Sequence, residues 1–214
     1  ANDHGAFKKE LAPIKQSNLC CEINLPTKPL KNFNDPEGEI ALCTLSAINW
    51  GLIKTPKDFE KPCSLAVRGL DALLTYQKYP VLAAENSTMK RRPLGIGIIN
   101  LAYFLAKNDT NYSNPDLGLI DEYAEAWSYY LIKASADLAI EQEACPGTNE
   151  THYGDGITPN QTYKKDVDEL IPHVERMDWE GLREQLKTTG IRNSTLMALM
   201  PAETSAQISN STNG

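Results

Sequence analysis

The sequence lacks long apolar runs and extended basic stretches, and both absences limit what the protein can be. Its 214 residues include 28 acidic and 21 basic side chains and carry a net charge of −7. No run of about 18 apolar residues is present, which excludes a membrane-spanning helix. No basic stripe crosses this acidic chain, so neither nucleic acid nor a membrane is an expected partner. The polar amino-terminal stretch lacks the features of a signal peptide, and we expect a cytoplasmic location.

Cysteine and histidine are also scarce, with 5 cysteines and 3 histidines in the chain. An odd number of cysteines, two of them adjacent, is not the disulfide framework of a small secreted domain. A zinc site needs several cysteine or histidine ligands at short spacing, and the sequence contains no such group. We therefore expect reduced thiols and no metal site. Cys63, inside a helical pattern, and Cys145, at a helix end, are expected to be structural.

Strand-like and helical patterns alternate along the chain, which favours an α/β fold, either a barrel or an open sheet. No repeat or low-complexity linker divides the sequence, so residues 1–214 are expected to form one domain. The basic run Lys90-Arg91-Arg92 is predicted to be a solvated loop before a buried strand. The expected strands cover residues 18–25, 39–48, 94–101 and 193–200. The expected helices run from a cap at Asp58 to about Gln77, over residues 119–143, and from a cap at Asp178 to Lys187 with Gly190 as the stop signal.

Residues 18–25 alternate between polar and apolar side chains, which predicts a strand with one polar face. Asn18, Cys20 and Glu22 share the polar face, whereas Cys21 lies in the apolar phase with its leucine and isoleucine neighbours. At about 3.3 Å per residue, Asn18 and Glu22 would flank Cys20 at roughly 6–7 Å on either side. Cys20 is therefore the candidate reactive thiol.

The neighbouring carboxylate indicates which chemistry suits Cys20. A negative charge nearby disfavours the thiolate, so Cys20 should remain a neutral thiol that can donate and accept a hydrogen atom. Glu22 could then take a proton from a substrate hydroxyl. A buried core strand with an incidental glutamate fits the same alternation equally well. A cysteine hydrolase is a further alternative, and it requires a histidine to approach Cys20. The candidate histidines are His4, His152 and His173.

The carboxy-terminal block predicts an anion site. A strand ending at Met200 meets Pro201, after which Thr204 and Ser205 offer hydroxyl and N–H groups at a helix start. The negative charge of Glu203 opposes an anion, so its backbone amide is the expected contact. An ordinary capped helix is the alternative reading of this block.

Three ordered blocks of the chain resemble the large catalytic subunit of class I ribonucleotide reductases. The first resembles the radical-site segment of that family, the second a strand with a redox-active cysteine, and the third a loop that binds substrate phosphate. The blocks are residues 17–23 with 25–27, residues 38–45, and residues 199–205 with 207–210. The linking segments 91–97 and 144–146 are also similar, so the resemblance covers nearly the whole chain.

The resemblance implies a fold and a division of labour among residues. The chain would form part of a ten-stranded α/β barrel. Cys20 would be the thiyl radical that removes the 3′ hydrogen of the ribose, Glu22 the acceptor of the 3′ hydroxyl proton, and Asn18 a residue that orients the sugar. Cys43 would be one cysteine of the reducing pair. The implied substrate-binding residues are Asn18, Leu19, Cys20, Cys21, Glu22, Pro201, Ala202, Glu203, Thr204 and Ser205.

Two positions depart from the family pattern. Cys21 replaces a usual aliphatic residue and adds a second thiol, and Ala202 stands where a serine is common, which removes one hydroxyl donor.

The resemblance also implies partners and a reaction. The substrate would be a ribonucleoside diphosphate, which is reduced to the deoxyribonucleotide. This segment would bind no cofactor, since a metal-containing small subunit supplies the radical and a thioredoxin or glutaredoxin supplies the dithiol. Nucleoside triphosphate effectors would bind segments that are absent here. We expect this chain to be a piece of the large subunit that lacks flanking barrel parts and the effector domain, and to be inactive alone. The alternative is a catalytically inactive assembly fragment that retains the fold.

Overall fold

The computed structural model describes residues 6–213, which combine helices with a small parallel sheet. The α/β class is confirmed, and residues 6–213 do not form a closed barrel. None of the helices in this range combines the length and apolar character needed to cross a bilayer. The strands are β1 (Thr44–Asn49) and β2 (Leu94–Ile99), and the α-helices are α1 (Glu60–Tyr76), α2 (Leu82–Arg91), α3 (Leu101–Lys107), α4 (Leu117–Gln142), α5 (Pro159–Thr162), α6 (Trp179–Thr189) and α7 (Glu203–Ile208). Short 3₁₀ turns cover Trp50–Leu52, Pro56–Phe59, Thr148–Glu150, His152–Asp155 and Lys165–Glu169.

The sheet is built on a β–α–β crossover. Strands β1 and β2 are parallel, with Thr44 opposite Leu94 at one end and Asn49 opposite Ile99 at the other, and helices α1 and α2 lie in the connection. Residues 194–198 run along β2, because the Ile96 N–H donates to the Leu196 carbonyl at 2.7 Å. The strand predicted over residues 94–101 is therefore confirmed. The strand predicted over 39–48 begins only at Thr44. In place of the strand predicted over 193–200, the structure has a short bridge to β2.

Helix α4 is the centre of the core. Its N-cap Asp116 accepts a hydrogen bond from the Leu119 N–H at 3.0 Å, and the helix continues to Gln142, so the helix predicted over 119–143 is confirmed. Helix α1 packs against α4 and β1. Buried side chains are distributed around α4, which is the pattern of a helix enclosed on most of its surface.

The ends of two other helices test the predicted caps. Asp178 accepts a hydrogen bond from the Gly181 N–H at 3.0 Å and Gly190 ends α6 with a φ of 70°, so both signals are confirmed. The cap predicted at Asp58 is wrong, because Thr55 is the N-cap of the 3₁₀ turn before α1. Asp58 accepts a hydrogen bond from the Thr55 N–H at 2.8 Å and completes a capping box.

The prediction of a solvated loop at residues 90–92 is wrong for both arginines. Arg91 ends α2 at 2% exposure and Arg92 follows at 5%. Arg91 donates to Glu39 at 2.6 Å and to Glu150 at 2.8 Å, while Arg92 donates to Asp71 at 2.6 Å. Buried guanidinium groups require such partners, and all three carboxylates come from distant parts of the chain.

The buried Glu39 carboxylate is expected to make folding stability sensitive to acid. Burial opposes its ionisation, but the hydrogen bond and charge of Arg91, with the charges of Lys90 and Lys28, outweigh burial and hold the pKa of Glu39 below its usual range. A lowered folded-state pKa contributes stability above the unfolded value of about 4.3, and this stability is lost as the pH falls through the folded-state pKa. We expect Glu39→Gln to reduce the acid-dependent loss of stability measured by urea denaturation between about pH 6 and pH 3.

Glu37 provides the control for this pH dependence. It lies two residues before Glu39 and pairs with Lys31 at 3.5 Å, but both side chains are largely exposed. Glu37→Gln should therefore leave the pH dependence unchanged. Equal pH profiles for the wild type and Glu39→Gln would contradict the role assigned to Glu39.

Candidate active site

The segment that contains Cys20 is a tight turn and not the predicted strand. The Cys21 N–H donates to the Asn18 carbonyl at 3.1 Å, and the Asn18 N–H donates to the Ile23 carbonyl at 3.3 Å. The Asn18 side-chain oxygen accepts from the Ile23 N–H at 3.0 Å. The strand prediction over residues 18–25 is therefore wrong, because the asparagine side chain closes the backbone on itself, as asparagine does in turns.

The turn changes which side chains share a surface. Cys20 and Cys21 are both exposed and Leu19 is 97% exposed, whereas Glu22 is 5% exposed. The predicted division between a polar and an apolar face does not hold, since the Cys21 side chain is exposed instead of packed in the apolar core. The alternative of a buried core strand fails for the same reason. Ile23 and Leu25, which follow the turn, pack on the main core and anchor it.

Cys43 lies just before β1 and faces the part of β2 where Gly95 and Gly97 have no side chains. A Cβ atom added at Gly95 would lie 2.9 Å from the Cys43 Sγ and 3.0 Å from the Ala198 Cβ. One added at Gly97 would lie 2.6 Å from the Met200 Sδ. The two glycines, at i and i+2 of β2, therefore allow Cys43 and the carboxy-terminal segment to approach one face of the strand. Our reading of the sequence missed this role, although alternating glycines inside a strand pattern are a signal for it.

The predicted phosphate loop follows directly from this segment. Pro201, Glu203, Thr204 and Ser205 are exposed, whereas Ala202 is buried against Ile99. Ala202 stands at the N-cap of α7 and has no side-chain acceptor, so the first-turn N–H groups remain open to a ligand. Glu203 places a negative charge in that turn, as expected from the sequence.

The structure connects Cys43 and residues 201–205 through β2. Cys43 contacts the strand at Gly95 and Ala202 contacts it at Ile99. Gly95 and Ile99 are four positions apart in the strand, which is roughly 13 Å. The Cys20 turn is anchored on the same core as Cys43, and hydrogen bonds from Asn18 to Cys21 and Ile23 close it. The roles assigned to these residues stay predictions.

Two of the three histidines can be placed. His173 lies beside the ring of Tyr163, with its Nε2 4.0 Å from Glu175, and the His152 N–H donates to the Ala6 carbonyl. Within residues 6–213, no hydrogen bond joins either histidine to Cys20. His4 lies outside the described residues. The described histidines therefore give no support to a cysteine hydrolase.

Cys63 and Cys145 differ from the cysteines of the turn because both are buried. Burial raises the pKa of Cys63 well above its ordinary value and raises the pKa of Cys145 to about 12. The structural role predicted for both thiols agrees with this burial. In the described part of the chain, no group of three or more Cys, His, Asp and Glu side chains is placed to hold a metal ion.

Comparison with known proteins gives the family. The family model described as the barrel domain of ribonucleotide reductase matches residues 1–214. The chain belongs to the ribonucleotide reductase family. The resemblance inferred from the three sequence blocks is thus confirmed for the whole chain.

Relatives within the ribonucleotide reductase family are similar over the entire chain. It is 56% identical to the ribonucleoside-diphosphate reductase subunit alpha of Haemophilus influenzae and 57% identical to the ribonucleoside-diphosphate reductase 1 subunit alpha of Escherichia coli K12, each over 214 residues. It is 46% identical to the subunit alpha of Enterobacteria phage T4 over 221 residues. In each case the match covers 100% of this chain and 28% of the relative, so the chain spans little more than a quarter of the curated relatives' length.

Proposed function

We propose that this chain is the catalytic segment of a ribonucleoside-diphosphate reductase, which reduces ribonucleoside diphosphates to deoxyribonucleoside diphosphates by thiyl-radical chemistry. The similarity of the whole chain to proteins named ribonucleoside-diphosphate reductase subunit alpha carries the proposal. The turn also supports the proposal, because it exposes the Cys20 thiol beside Cys21 and Glu22.

In this proposal Cys20 and its neighbours act on the ribose. Cys20, as a thiyl, takes the 3′ hydrogen atom, and Glu22 accepts the proton of the 3′ hydroxyl. Glu22 is 5% exposed, so little water would compete with a substrate hydroxyl for its carboxylate, which supports this role. The Asn18 oxygen is occupied by the turn, so its NH₂ group is the one that would donate to the sugar.

Cys43 and the carboxy-terminal loop complete the proposed reaction. Cys43 and a second cysteine outside this chain would lose two hydrogens and become a disulfide, while the 2′ hydroxyl leaves as water. Residues 201–205 would hold the diphosphate through backbone N–H groups and the hydroxyls of Thr204 and Ser205. The separation of roughly 13 Å along β2 between the Cys43 and Ala202 contacts supports an elongated substrate over a small one.

The proposal includes the rest of the assembly. The described residues would form part of a ten-stranded barrel whose other strands belong to flanking segments. A metal-containing small subunit would supply the radical, thioredoxin or glutaredoxin would reduce the disulfide, and nucleoside triphosphates would bind other segments. The absence of a membrane-spanning helix in residues 6–213 is compatible with action in the cytoplasm.

The experiment that tests the proposal compares the two adjacent cysteines. In the complete subunit that contains these residues, supplied with small subunit, dithiol and a ribonucleoside diphosphate, Cys20→Ser should reduce deoxyribonucleotide formation to background. The cause is that a hydroxyl does not replace the S–H in hydrogen-atom exchange. Cys21→Ser is the matched control: Cys21 is an implied substrate contact that exchanges no hydrogen atom, so this variant should keep measurable turnover even if substrate binding weakens. Normal product formation by Cys20→Ser would eliminate the proposal and favour an assembly role.

A further inference from the structure

Asn100 is a buried polar residue that the proposed reaction does not use. It follows β2 directly, is 7% exposed and has a φ of 67°. This left-handed conformation is unfavourable for most residues, whereas glycine adopts it freely and asparagine tolerates it. The position therefore suits an asparagine whose side-chain amide has partners in the fold.

The Asn100 amide joins the ends of both strands to residue 212. Its Nδ2 donates to the Oδ1 of Asn49, the last residue of β1, at 2.9 Å. Its Oδ1 accepts from the Thr212 N–H at 3.0 Å and from the Thr212 hydroxyl at 3.2 Å, and the Asn100 N–H donates to the Thr212 carbonyl at 2.9 Å. Because a backbone N–H can only donate, the amide oxygen must face Thr212, and the NH₂ group then faces Asn49.

Gly51 leaves the space that this amide fills. A Cβ atom added at Gly51 would collide with the Asn100 Nδ2 and would lie 2.8 Å from the Asn100 Cγ. Gly51 belongs to the 3₁₀ turn that follows β1. The ends of both strands therefore fit around one orientation of the Asn100 amide.

Thr212 is in turn tied to the helix that follows the proposed phosphate loop, residues 201–205. The Ser211 N–H and the Ser211 hydroxyl donate to the Ala206 carbonyl of α7 at 2.9 and 3.2 Å. Residues 203–212 thus form a short hydrogen-bonded unit whose far end is held by Asn100.

The apolar contact between α7 and the sheet is made mostly by small side chains. Ala202 and Ala206 are buried with Ile99, and Ala47 packs against them. Alanine side chains bury little apolar area, so this contact by itself fixes the helix weakly. The hydrogen bonds of Asn100 supply a directional restraint that the alanines do not.

We propose that Asn100 is a positioning residue, which holds residues 201–205 at the carboxyl edge of β1 and β2 for the substrate diphosphate. This inference rests on the proposed function, which assigns the diphosphate to those residues. Asn100 contacts no substrate in this proposal and acts through Thr212 and α7. A loop that is ordered before the substrate arrives binds it without paying an ordering cost, and loss of the amide would add that cost. The effect should therefore fall on substrate binding more than on hydrogen-atom exchange at Cys20.

Asn100→Gly in the complete subunit tests the inference, because glycine keeps the left-handed backbone and removes the amide. The equilibrium Kd of a ribonucleoside diphosphate, measured without turnover, should rise about five- to tenfold, as expected for lost hydrogen bonds. With small subunit and dithiol supplied, KM should rise similarly while kcat changes much less. Hydrogen exchange of the amides in residues 203–212 should be faster in the ligand-free variant.

Asn49→Ala tests whether the two asparagines act as one unit. It leaves Asn100 its bonds to Thr212, so Kd should rise only about two- to fivefold. The double variant should bind no more weakly than Asn100→Gly alone. Asn108→Gly is the matched control and should leave Kd unchanged, since the Asn108 Nδ2 donates at 2.7 Å to the Phe104 carbonyl at the other end of α3.

An unchanged Kd in folded Asn100→Gly would overturn the inference, as would equal rises for Asn100→Gly and Asn108→Gly. A lower kcat with an unchanged KM would also overturn it. If Asn100→Gly does not fold, Asn49→Ala gives the same test, and an unchanged Kd in that variant is the contradicting result. If Cys20→Ser keeps turnover while Asn100→Gly weakens binding, the proposed radical chemistry fails and the positioning role stands.

Discussion

Replacing Asp71 with alanine is expected to lower the free energy of unfolding by about 3–5 kcal/mol. Asp71 is 2% exposed and accepts hydrogen bonds from Arg92 at 2.6 Å, Arg192 at 3.2 Å and Asn193 at 2.9 Å. Without the carboxylate, Arg92 keeps neutral acceptors among the described residues, which are the Asp71 carbonyl, the Thr75 hydroxyl and the Met89 sulfur. A buried cation without a counter-charge is costly, because it is removed from water and nothing compensates its charge.

Urea denaturation followed by tryptophan fluorescence would measure the effect of Asp71→Ala. The matched control is Glu141→Ala, which removes the carboxylate partner of Arg68 at an exposed site. Water solvates both members of that pair, so the control should change the unfolding midpoint far less. Equal changes for the two variants would show that the Asp71 network contributes no more than a surface ion pair.

The same network shows why part of the fold could not be predicted from the sequence. Helix α4 and the caps of α6 were predictable because they depend on residues close together in the chain, such as Asp178 with Gly181. The burial of Arg91 and Arg92 depends on Asp71, Glu39 and Glu150, which lie far along the chain. A run of three basic residues looks solvated until tertiary contacts bring carboxylates to it.

The candidate site was likewise predictable only in part. Cys20, Cys43 and residues 201–205 were identified from sequence blocks that resemble a family, and that family is confirmed. The prediction of the geometry around Cys20 was wrong. Alternation over eight residues predicted a strand, whereas the Asn18 side chain closes a turn there. Period-two alternation in a short segment cannot distinguish a strand from a turn that happens to alternate. The turn, in contrast to the strand, exposes Cys21 together with Cys20.

The second large effect is expected from Trp50, the residue that follows β1. Trp50→Ala should lower the free energy of unfolding by about 3–5 kcal/mol, because the side chain is 1% exposed and its removal leaves a cavity in the core. Its ring makes edge contacts with Phe59 and Phe104, both at 5.4 Å between centroids, and with Trp127 at 6.3 Å. These aromatics come from four separate elements, so the cavity would loosen the contact between the sheet and helices α3 and α4.

Two further variants separate cavity formation from a general effect of mutation near Trp50. Trp50→Phe should cost much less than Trp50→Ala, because it keeps a ring in the cluster and removes an indole N–H that has no hydrogen-bond partner among residues 6–213. Leu52→Ala, two residues away and 74% exposed, should leave the unfolding midpoint nearly unchanged. If Trp50→Phe were as damaging as Trp50→Ala, the indole shape itself and not the filled volume would hold the cluster together.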